Sequence, residues 1–289
     1  GEGPPAGAKD PHRVSQALLA GVMTDERWIL HQGDALRWMM ELDDDSVDAV
    51  ISDPPYSSGG RTQSDKRKAP SKKYTRGHRD YPEFAGDSGD QFALMYKMCL
   101  YLSEARRVAR PGAPICVFTD WRQYPVIAAG LQMADWIWRG TVPWDKTEAA
   151  RPMLGGFTQQ AEFILWGSKG RLDSDRRCHG GKRTLPGVLR HRVDPRDKQH
   201  VTGKPTELMM DVVKICEPGG VILDPFAGSA TTGVAALRLG YRFLGCEIVP
   251  AYAHIARNRL RSIDCSFDYR DPEPAQLPLS AAASQGKAL

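Results

Sequence analysis

The sequence predicts an α/β protein with a mostly parallel, twisted β-sheet and helices on both faces. Short apolar, β-branched runs alternate along the chain with segments whose apolar residues recur at helical spacing. This alternation is typical of strand–helix–strand units, in which each helix carries the chain back to start a parallel strand. A glycine-bearing turn also joins one predicted strand to the following helix, as at a ligand site of such a sheet.

The first elements are a strand, a helix and a second strand. Residues 28–31 are an apolar run, and Gly33-Asp34 then begins a helix with Leu36, Met39 and Met40 on one face. The β-branched run at 47–51 is the second strand, and it ends at Asp53.

The middle of the chain carries the clearest helical pattern. In residues 91–109 apolar side chains recur at Phe92, Met95, Cys99 and Leu102, with Ala105 or Arg106 as the next position on that face. Arg110-Pro111-Gly112 stops the segment. We therefore predict an amphipathic helix with these side chains on its buried face. The elements that follow are strands at 115–118, 136–144 and 161–166, with a short helix at 124–129.

The last third of the chain alternates in the same way. Residues 205–216 are predicted to be helical, because Pro205 suits a first helical turn. The remaining elements are strands at 221–223 and 241–246 and helices at 231–239 and 251–262.

The composition excludes a membrane-spanning protein and gives no support for secretion. No apolar run approaches the roughly 20 residues that cross a bilayer, and residues 1–13 contain no apolar signal core. The six cysteines form no C-x-x-C pair, and several lie in apolar segments typical of buried free thiols. We therefore expect a reducing, cytoplasmic setting.

The net charge of +4 hides two basic segments. Residues 57–79 carry a net charge of +7 and residues 168–200 carry +6, so the rest of the chain carries −9. Such segments suit a polyanion, because each neutralised phosphate releases condensed counterions. The alternative is that both segments are solvated surface loops, which would carry the same charge without binding a polyanion.

Composition also predicts the organisation of the chain. We expect a flexible tail at 1–20, a first half of one domain at 21–167 with a mobile basic loop at 57–90, and a separate segment at 168–200. The second half of the same domain follows at 201–265, and a flexible tail at 266–289.

The turn after the strand at 221–223 has the layout of a nucleoside site. It reads Asp-Pro-Phe-Ala-Gly-Ser-Ala-Thr-Thr-Gly from Asp224, and Glu247 follows 23 positions later at the next strand end. Glycines let the backbone approach a ligand, and the later carboxylate accepts both ribose hydroxyl groups. The spacing matches neither G-x-G-x-x-G nor a phosphate-binding P-loop, and a carboxylate in the turn suits an ammonium group better than a phosphate.

A second motif, Asp53-Pro54-Pro55-Tyr56, ends the strand at 47–51. Two prolines rigidify the backbone, and the aromatic ring can stack on a planar ligand. The lone pair of a nucleobase amine is delocalised into the ring. A carboxylate and a backbone carbonyl that accept its two hydrogens would favour pyramidal nitrogen and free that lone pair. The alternative is an ordinary strand-terminating turn.

At these residues the sequence resembles the S-adenosylmethionine-dependent amino-methyltransferases of DNA, which methylate adenine N6 or cytosine N4. The order of the motifs, with Asp53-Pro-Pro-Tyr before Phe226-x-Gly228 and a basic stretch between them, resembles the permuted β class. The resemblance runs over residues 28–263. It implies a Rossmann-like methyltransferase fold with an inserted target-recognition segment at 168–200. It departs from the family at 200–205, where the family usually has a proline after the histidine.

The resemblance implies roles for the matching residues. Asp53, Pro54, Pro55 and Tyr56 would hold the target base, with Tyr56 stacking on it after base flipping. Asp34 would lie near the cofactor adenine and Lys204 near its methionine carboxylate, whereas the structural alternatives are a helix cap for Asp34, a surface cation for Lys204 and plain core for Phe226. The other cofactor residues implied are Asp224, Pro225, Phe226, Gly228, Ser229, Thr231 and Glu247.

The two basic segments are expected to contact DNA differently. The first is rich in Gly, Ser and Lys, like a mobile loop that closes over flipped DNA. The second favours Arg, whose guanidinium can read guanine edges. The candidates are Lys66, Arg67, Lys68, Lys72 and Lys73 in the first segment, and Arg176, Arg177, Arg190 and Arg192 in the second.

The sequence therefore predicts a site-specific adenine N6-methyltransferase of duplex DNA. Asp53 favours adenine, because cytosine N4 enzymes of the family more often carry Ser there. Cytosine N4 methylation and a DNA-binding subunit without catalysis remain alternatives. A homodimer and a cognate restriction endonuclease are left open as partners. No metal is expected, because Cys178-His179, His191 and His200 lack paired ligand spacing.

Overall fold

The computed structural model describes residues 27–55, 91–148, 150, 152–173, 175–193 and 203–264. Within these ranges the strands are β1 Trp28–Gln32, β2 Ala49–Ser52, β3 Pro114–Thr119, β4 Ile137–Asp145, β5 Ala161–Ser168, β6 Leu189–Arg190, β7 Val221–Asp224 and β8 Arg242–Glu247. The α-helices are α1 Ala35–Met40, α2 Gln91–Val108, α3 Tyr124–Met133, α4 Thr206–Val213, α5 Thr231–Arg238 and α6 Pro250–Asp264.

The strands form one sheet in the order β1-β8-β7-β2-β3-β5-β4-β6. Neighbours from β1 to β3 are parallel, β5 is antiparallel to both β3 and β4, and β6 is parallel to β4. The predicted mostly parallel sheet is confirmed. Strand β6 was not predicted, because a two-residue strand has no periodicity.

Helices cover both faces of this sheet, also as predicted. One core lies between the sheet and α1, α2 and α3, and it takes Ile29, Val50 and Val117 from alternate strand positions. The other lies against α4, α5 and α6, and it takes Leu30, Ile51 and Phe118. All residues of β2, β3 and β7 are buried, which is why these strands are continuous apolar runs.

Helix α2 forms where the periodicity predicts it, and the predicted face is right only in part: Leu102 and Ala105 are buried and Met95 and Cys99 are partly buried, but Phe92 is exposed. The buried side chains are Leu94, Met98, Leu102, Ala105 and Val108, whereas Phe92 is 79% exposed. The face is selected by a close approach to α3. A Cβ added at Gly130 of α3 would lie 3.2 Å from the Met98 Cβ. A glycine there lets the helices meet along the Met98 stripe.

The described cysteines are unpaired, and Cys116, Cys216 and Cys246 are buried in the two cores. Burial raises the pKa of Cys116 to about 12. No helix in the described part of the chain is long and apolar enough to span a membrane.

The strand order places a topological switch point between β7 and β2. From β7 the chain passes through α5 on one face to β8, and from β2 it returns through α2 on the other face to β3. Ligands of such sheets bind at the edge where the parallel strands end, beside such a reversal. We call this the carboxyl edge. Asp224 is the last residue of β7 and Asp53 directly follows the neighbouring strand β2, so both residues lie at this edge.

Candidate active site

Residues 224–231 form the turn that joins β7 to α5 at the carboxyl edge. Gly228 and Ala230 both have left-handed backbone, with φ of 54° and 58°. The Ala227 N–H donates to the Cys246 carbonyl at 2.8 Å, which ties the turn to the end of β8. For a non-glycine residue such as Ala230 this backbone costs about 1–2 kcal/mol. The surrounding contacts therefore fix the conformation of the turn.

The side chains of Asp224 and Glu247 stabilise this turn through hydrogen bonds. Asp224 accepts from the Thr232 Oγ1 at 2.6 Å and from the Phe226 N–H at 3.1 Å. Glu247 accepts from the Gly228 N–H at 2.9 Å with Oε2 and from the Val249 N–H at 2.8 Å with Oε1. Both carboxyl groups are buried. Their shared role is to shape the backbone that faces the crevice.

Burial raises the pKa of both groups. For Asp224 the pKa rises to about 7, because burial and the nearby Asp53 and Glu247 outweigh its two hydrogen bonds. Burial also raises the pKa of Glu247, although the backbone N–H groups of Val249 and Gly228 oppose it.

Asp34 and Phe226 show the structural contacts that the sequence left as alternatives. The Asp34 carboxylate caps α1 by accepting from the Arg37 N–H at 2.9 Å. Phe226 packs against the α1–α3 core and meets the Tyr101 ring edge-on, with centroids 4.9 Å apart. Phe226 is only partly buried, so part of its ring faces outward at the turn.

Ser229 and Thr231 contact α6. The Arg259 Nη1 donates to the Ser229 Oγ at 3.0 Å, to the Ser229 carbonyl at 2.6 Å and to the Thr231 Oγ1 at 3.2 Å. These hydroxyl groups therefore fasten the turn to α6. Arg259 could not be predicted as a contact of this turn, because its partners lie 28 and 30 positions away along the chain.

The turn fits a nucleoside with a cationic tail. A carboxylate has about four lone-pair directions, and each Glu247 oxygen uses one on a backbone N–H. Capacity remains for two ribose hydroxyl groups. Asp34, Asp224 and Glu247 give the region an acidic character, which suits a positively charged ligand and disfavours a phosphate.

On the other side of the switch point, Asp53 belongs to a cluster of alternating charges that we call the edge cluster. Lys204 Nζ donates to Asp53 Oδ1 and Oδ2 at 2.9 and 2.8 Å. The same ammonium lies 3.4 Å from Glu162 Oε2, and Lys146 Nζ lies 3.1 Å from Glu162 Oε1. The edge cluster therefore consists of Asp53, Lys204, Glu162 and Lys146.

Lys204 is a buried member of this cluster. Its side chain is only 7% exposed, and its ammonium lies 5.2 Å from the centroid of the Phe118 ring. The structure thus contradicts the alternative that Lys204 is a solvated surface cation. It places the ammonium on the motif carboxylate, and the role near a cofactor carboxylate stays a prediction.

Burial and charge act in opposite directions within the cluster. Burial raises the pKa of Asp53 even though Lys204 lowers it. For Glu162, burial raises the pKa, but Lys204 and Lys146 together bring it below the usual value. The pKa of Lys204 is lowered by burial and raised more strongly by Asp53 and Glu162. The protonation of each member of the cluster therefore depends on the charge of the others.

The rest of the second motif is only partly described. Pro54 is buried and Pro55 is partly buried at the end of β2. Tyr56 lies outside the described residues, as do the basic loop with Lys66, Arg67, Lys68, Lys72 and Lys73 and the tails at 1–20 and 266–289.

The arginines of the segment at 168–200 separate into two groups. Strand β5 runs away from the carboxyl edge, so this segment starts at the opposite edge of the sheet. There Arg176 is 11% exposed, donates to the Ile215 carbonyl at 2.7 Å and pairs with Glu217. Arg177 donates to the Asp175 carbonyl nearby. The structure therefore does not bring Arg176 and Arg177 to the edge that carries Asp53.

Arg190 and Arg192 do lie at the carboxyl edge. Strand β6 pairs with the end of β4, which places Arg190 beside Asp145. Arg190 donates to both Glu148 oxygens, at 2.9 and 3.0 Å, and remains 60% exposed. Arg192 is exposed as well.

Glu162 and Lys146 were missed as site residues. Lys146 follows β4 directly, so its position after a strand was a usable signal. Glu162 stands near the start of β5, and it reaches the carboxyl edge only because β5 is antiparallel. The residues of one strand do not show whether it runs parallel or antiparallel to its neighbours, so Glu162 could not be placed at this edge from the sequence.

Comparisons with known proteins identify a family and several relatives of this chain. A family model described as DNA methylase, which covers N6 and N4 methyltransferases, matches residues 47–258. Type II methyltransferase M2.DpnII of Streptococcus pneumoniae is 27% identical, over 82% of this chain and 90% of that protein. Type II methyltransferase M.HinfI of Haemophilus influenzae is 28% identical, over 80% of this chain and 68% of that protein.

Solved structures show the same fold. The crystal structure of the M1.HpyAVI–SAM complex matches with a TM-score of 0.59 at 21% identity, covering 81% of this chain and 98% of that chain. At this level of identity the likeness concerns the architecture, which is the mostly parallel sheet with helices on both faces.

Proposed function

The chain belongs to the DNA methylase family, and on this premise we propose that it transfers a methyl group from S-adenosylmethionine to adenine N6 in duplex DNA. The observation that carries the proposal is the pairing of two motifs on neighbouring strands. β7 leads into the nucleoside-type turn, and β2 is followed directly by Asp53 and its two prolines. Cofactor and target base would thus meet at the switch point.

The chain's own residues supply positioning and hydrogen-bond acceptors. When bound, S-adenosylmethionine supplies an electrophilic methyl group on a sulfonium. Glu247 would accept the ribose hydroxyl groups, and the turn from Asp224 to Thr231 would shape the crevice that holds the cofactor. Its M1.HpyAVI neighbour was solved as a SAM complex, which supports this choice of cofactor.

Asp53 would act on the target amino group. Its carboxylate and a backbone carbonyl of the motif would accept the two amine hydrogens and favour a pyramidal nitrogen with a free lone pair. The amino nitrogen held there would take the methyl group as the carbon–sulfur bond of the cofactor gives its electrons to sulfur, and the proton released from nitrogen would pass to solvent. This chemistry depends mainly on placing the two reactants in line.

A base in a duplex cannot reach a crevice at the edge of a sheet without leaving the stack. We therefore include base flipping in the proposal, with Tyr56 stacking on the extruded ring. Arg190 and Arg192 lie at the same edge, and in this proposal they contact the surrounding DNA.

Methyl incorporation into unmethylated duplex DNA tests the proposal. We expect label from methyl-labelled S-adenosylmethionine to enter DNA, and mass spectrometry of the digested product to show N6-methyladenine. N4-methylcytosine would move the target to cytosine, which the family model also covers. No incorporation into any duplex would favour a DNA-binding subunit without catalysis.

The biological setting follows from the relatives. M2.DpnII and M.HinfI are both named type II methyltransferases. We infer that this chain methylates a defined site in the manner of a restriction-modification methyltransferase. Sequencing modified bases in the DNA of an expressing host gives the site directly, and a random distribution of methylated bases would count against it.

A further inference from the structure

The carboxylate that the proposed function assigns to the target amino group already has a partner. Both Asp53 oxygens accept from Lys204 Nζ, at 2.9 and 2.8 Å. Each Asp53 oxygen thus uses one acceptor direction on Lys204, so a target amine would share the carboxylate with a buried ammonium group, and the carboxylate can turn toward the amine only if the ammonium shifts with it or changes partner. Moving such an ammonium away from its carboxylate is costly unless another anion receives it.

We propose that Glu162 is a positioning residue that holds the Lys204 ammonium beside Asp53 and becomes its main partner when the target amino group enters. This inference rests on the proposed function of Asp53. Glu162 acts through Lys204 and is assigned no contact with substrate.

The Lys204 ammonium needs only a small movement to change its main partner from Asp53 to Glu162. The Lys204 ammonium lies 3.4 Å from Glu162 Oε2 while it is bound to Asp53. Charge-assisted hydrogen bonds are usually about 2.7–2.9 Å long, so a small movement toward Glu162 completes the second contact. The Phe118 ring against the ammonium does not compete for it, because its attraction is weaker than that of a carboxylate.

Glu162 is itself fixed and charged. Its Oε1 lies 3.1 Å from Lys146 Nζ, and its backbone is in register with Trp144 in the β4–β5 pair. Lys146 and Lys204 together keep the pKa of Glu162 below its usual value in spite of burial. Glu162 can therefore receive the ammonium as an anion at neutral pH.

The first test compares Glu162→Gln with a matched control. Glu104→Gln removes a similarly exposed glutamate, with 25% exposure against 20%, which pairs with Arg107 at 2.8 Å on α2. We expect kcat for DNA methylation to fall about 10- to 100-fold in Glu162→Gln, the range expected when a reacting group is misplaced. Cofactor affinity should be unchanged, and Glu104→Gln should behave like the wild-type protein.

The pH profile separates this role from a merely structural one. Glu162 raises the pKa of both Asp53 and Lys204, so removing its charge lowers both. The profile of kcat against pH should therefore shift to lower pH on both its acidic and its basic limb in Glu162→Gln. The two apparent pKa values belong to the coupled set of groups and not to single residues. Lys146, and Asp120 and Asp224 after β3 and β7, also face this cluster and are unchanged in the variant. A structural defect would lower kcat and leave the limbs in place.

Glu162→Asp keeps the charge and shortens the side chain. For Glu162→Asp we expect the limbs of the kcat–pH profile to stay in place and kcat to lie between those of the wild-type protein and Glu162→Gln. If Glu162→Gln does not fold, this variant is used to test the proposal. Wild-type kcat in Glu162→Asp would overturn the proposal, as would equal behaviour of Glu162→Gln and Glu104→Gln in an active background. An inactive wild-type protein would overturn the proposed function and this inference together.

Discussion

Asp53 and Asp224 end neighbouring strands but have different surroundings. Asp53 is bound by a buried ammonium, whereas Asp224 accepts from a hydroxyl group and a backbone N–H. The first carboxylate therefore stays in a charged cluster that can exchange partners, and the second shapes a turn. These surroundings determine what each substitution should do.

We expect Asp53→Ala to abolish methyl transfer while cofactor binding survives. The carboxylate is proposed to act on the base, and loss of one preorganised group of this kind typically costs about 10²–10³ in kcat. Lys204 keeps Glu162 as a partner in the variant, which limits the effect on folding. Labelled-cofactor binding and methyl transfer should be measured on the same preparation, and an equal loss of both would argue against the role.

Glu247→Ala should weaken cofactor binding. The ribose hydroxyl groups lose their acceptor and the Gly228 and Val249 N–H groups lose theirs, at about 1–3 kcal/mol for each buried group left unpaired. Calorimetric titration of S-adenosylmethionine measures the effect. An unchanged affinity would remove Glu247 from the cofactor site, and circular dichroism controls for loss of fold.

Asp224 should make stability depend on pH. Its pKa is about 7 in the folded protein, above the ordinary 3.8, so the folded state binds the proton more tightly. The stabilisation is fully present below pH 3.8 and is lost as the pH rises through 7. The unfolding free energy of the wild-type protein should therefore fall over this range more steeply than that of Asp224→Asn. Urea unfolding at pH 5 and pH 8 checks this, and parallel profiles would contradict it.

At the scale of elements, the described part of the segment at 168–200 has two structural roles. Its first part packs against the C-terminal end of α4, where Arg176 and the His179 N–H donate to the Ile215 and Lys214 carbonyls. Its later part forms β6 and returns to the carboxyl edge. The positive charge of the segment is therefore partly structural.

We expect neutralisation of Arg190 and Arg192 to change which DNA sites are methylated, because an arginine at the carboxyl edge can read guanine bidentately. Arg176→Ala should lower stability and leave site choice unchanged, since its guanidinium is held by Ile215 and Glu217. Neutralising Lys66, Arg67, Lys68, Lys72 and Lys73 should weaken binding across all sequences and reduce the salt slope by about 0.9 log units per lost phosphate contact.

Cognate and scrambled duplexes at two salt concentrations test these three sets of variants. Thermal unfolding gives the stability of Arg176→Ala. If the specificity ratio is the same in all three sets, the segment does not read sequence through these arginines.

At the scale of the whole molecule, sequence reasoning succeeded where the signal was local. Apolar runs predicted the buried central strands, and the residues after them predicted both motifs, because parallel strands end at one edge. It failed where the answer depended on packing partners. Strand direction in β5 decides that Glu162 reaches the site, Gly130 decides which stripe of α2 is buried, and β6 is too short to show a pattern.

The order of the strands has a consequence for synthesis. β2 ends at Ser52 and pairs with β7, which ends at Asp224, so the middle of the sheet closes only after most of the chain has been made. At about 5–20 residues per second, the nascent chain carries β2 with one edge unpaired for roughly ten to thirty seconds. An unpaired strand that is largely apolar is prone to aggregation. Chains released before β7 is translated should therefore be insoluble, and a nascent chain that stops before residue 224 cannot bring the two motifs together.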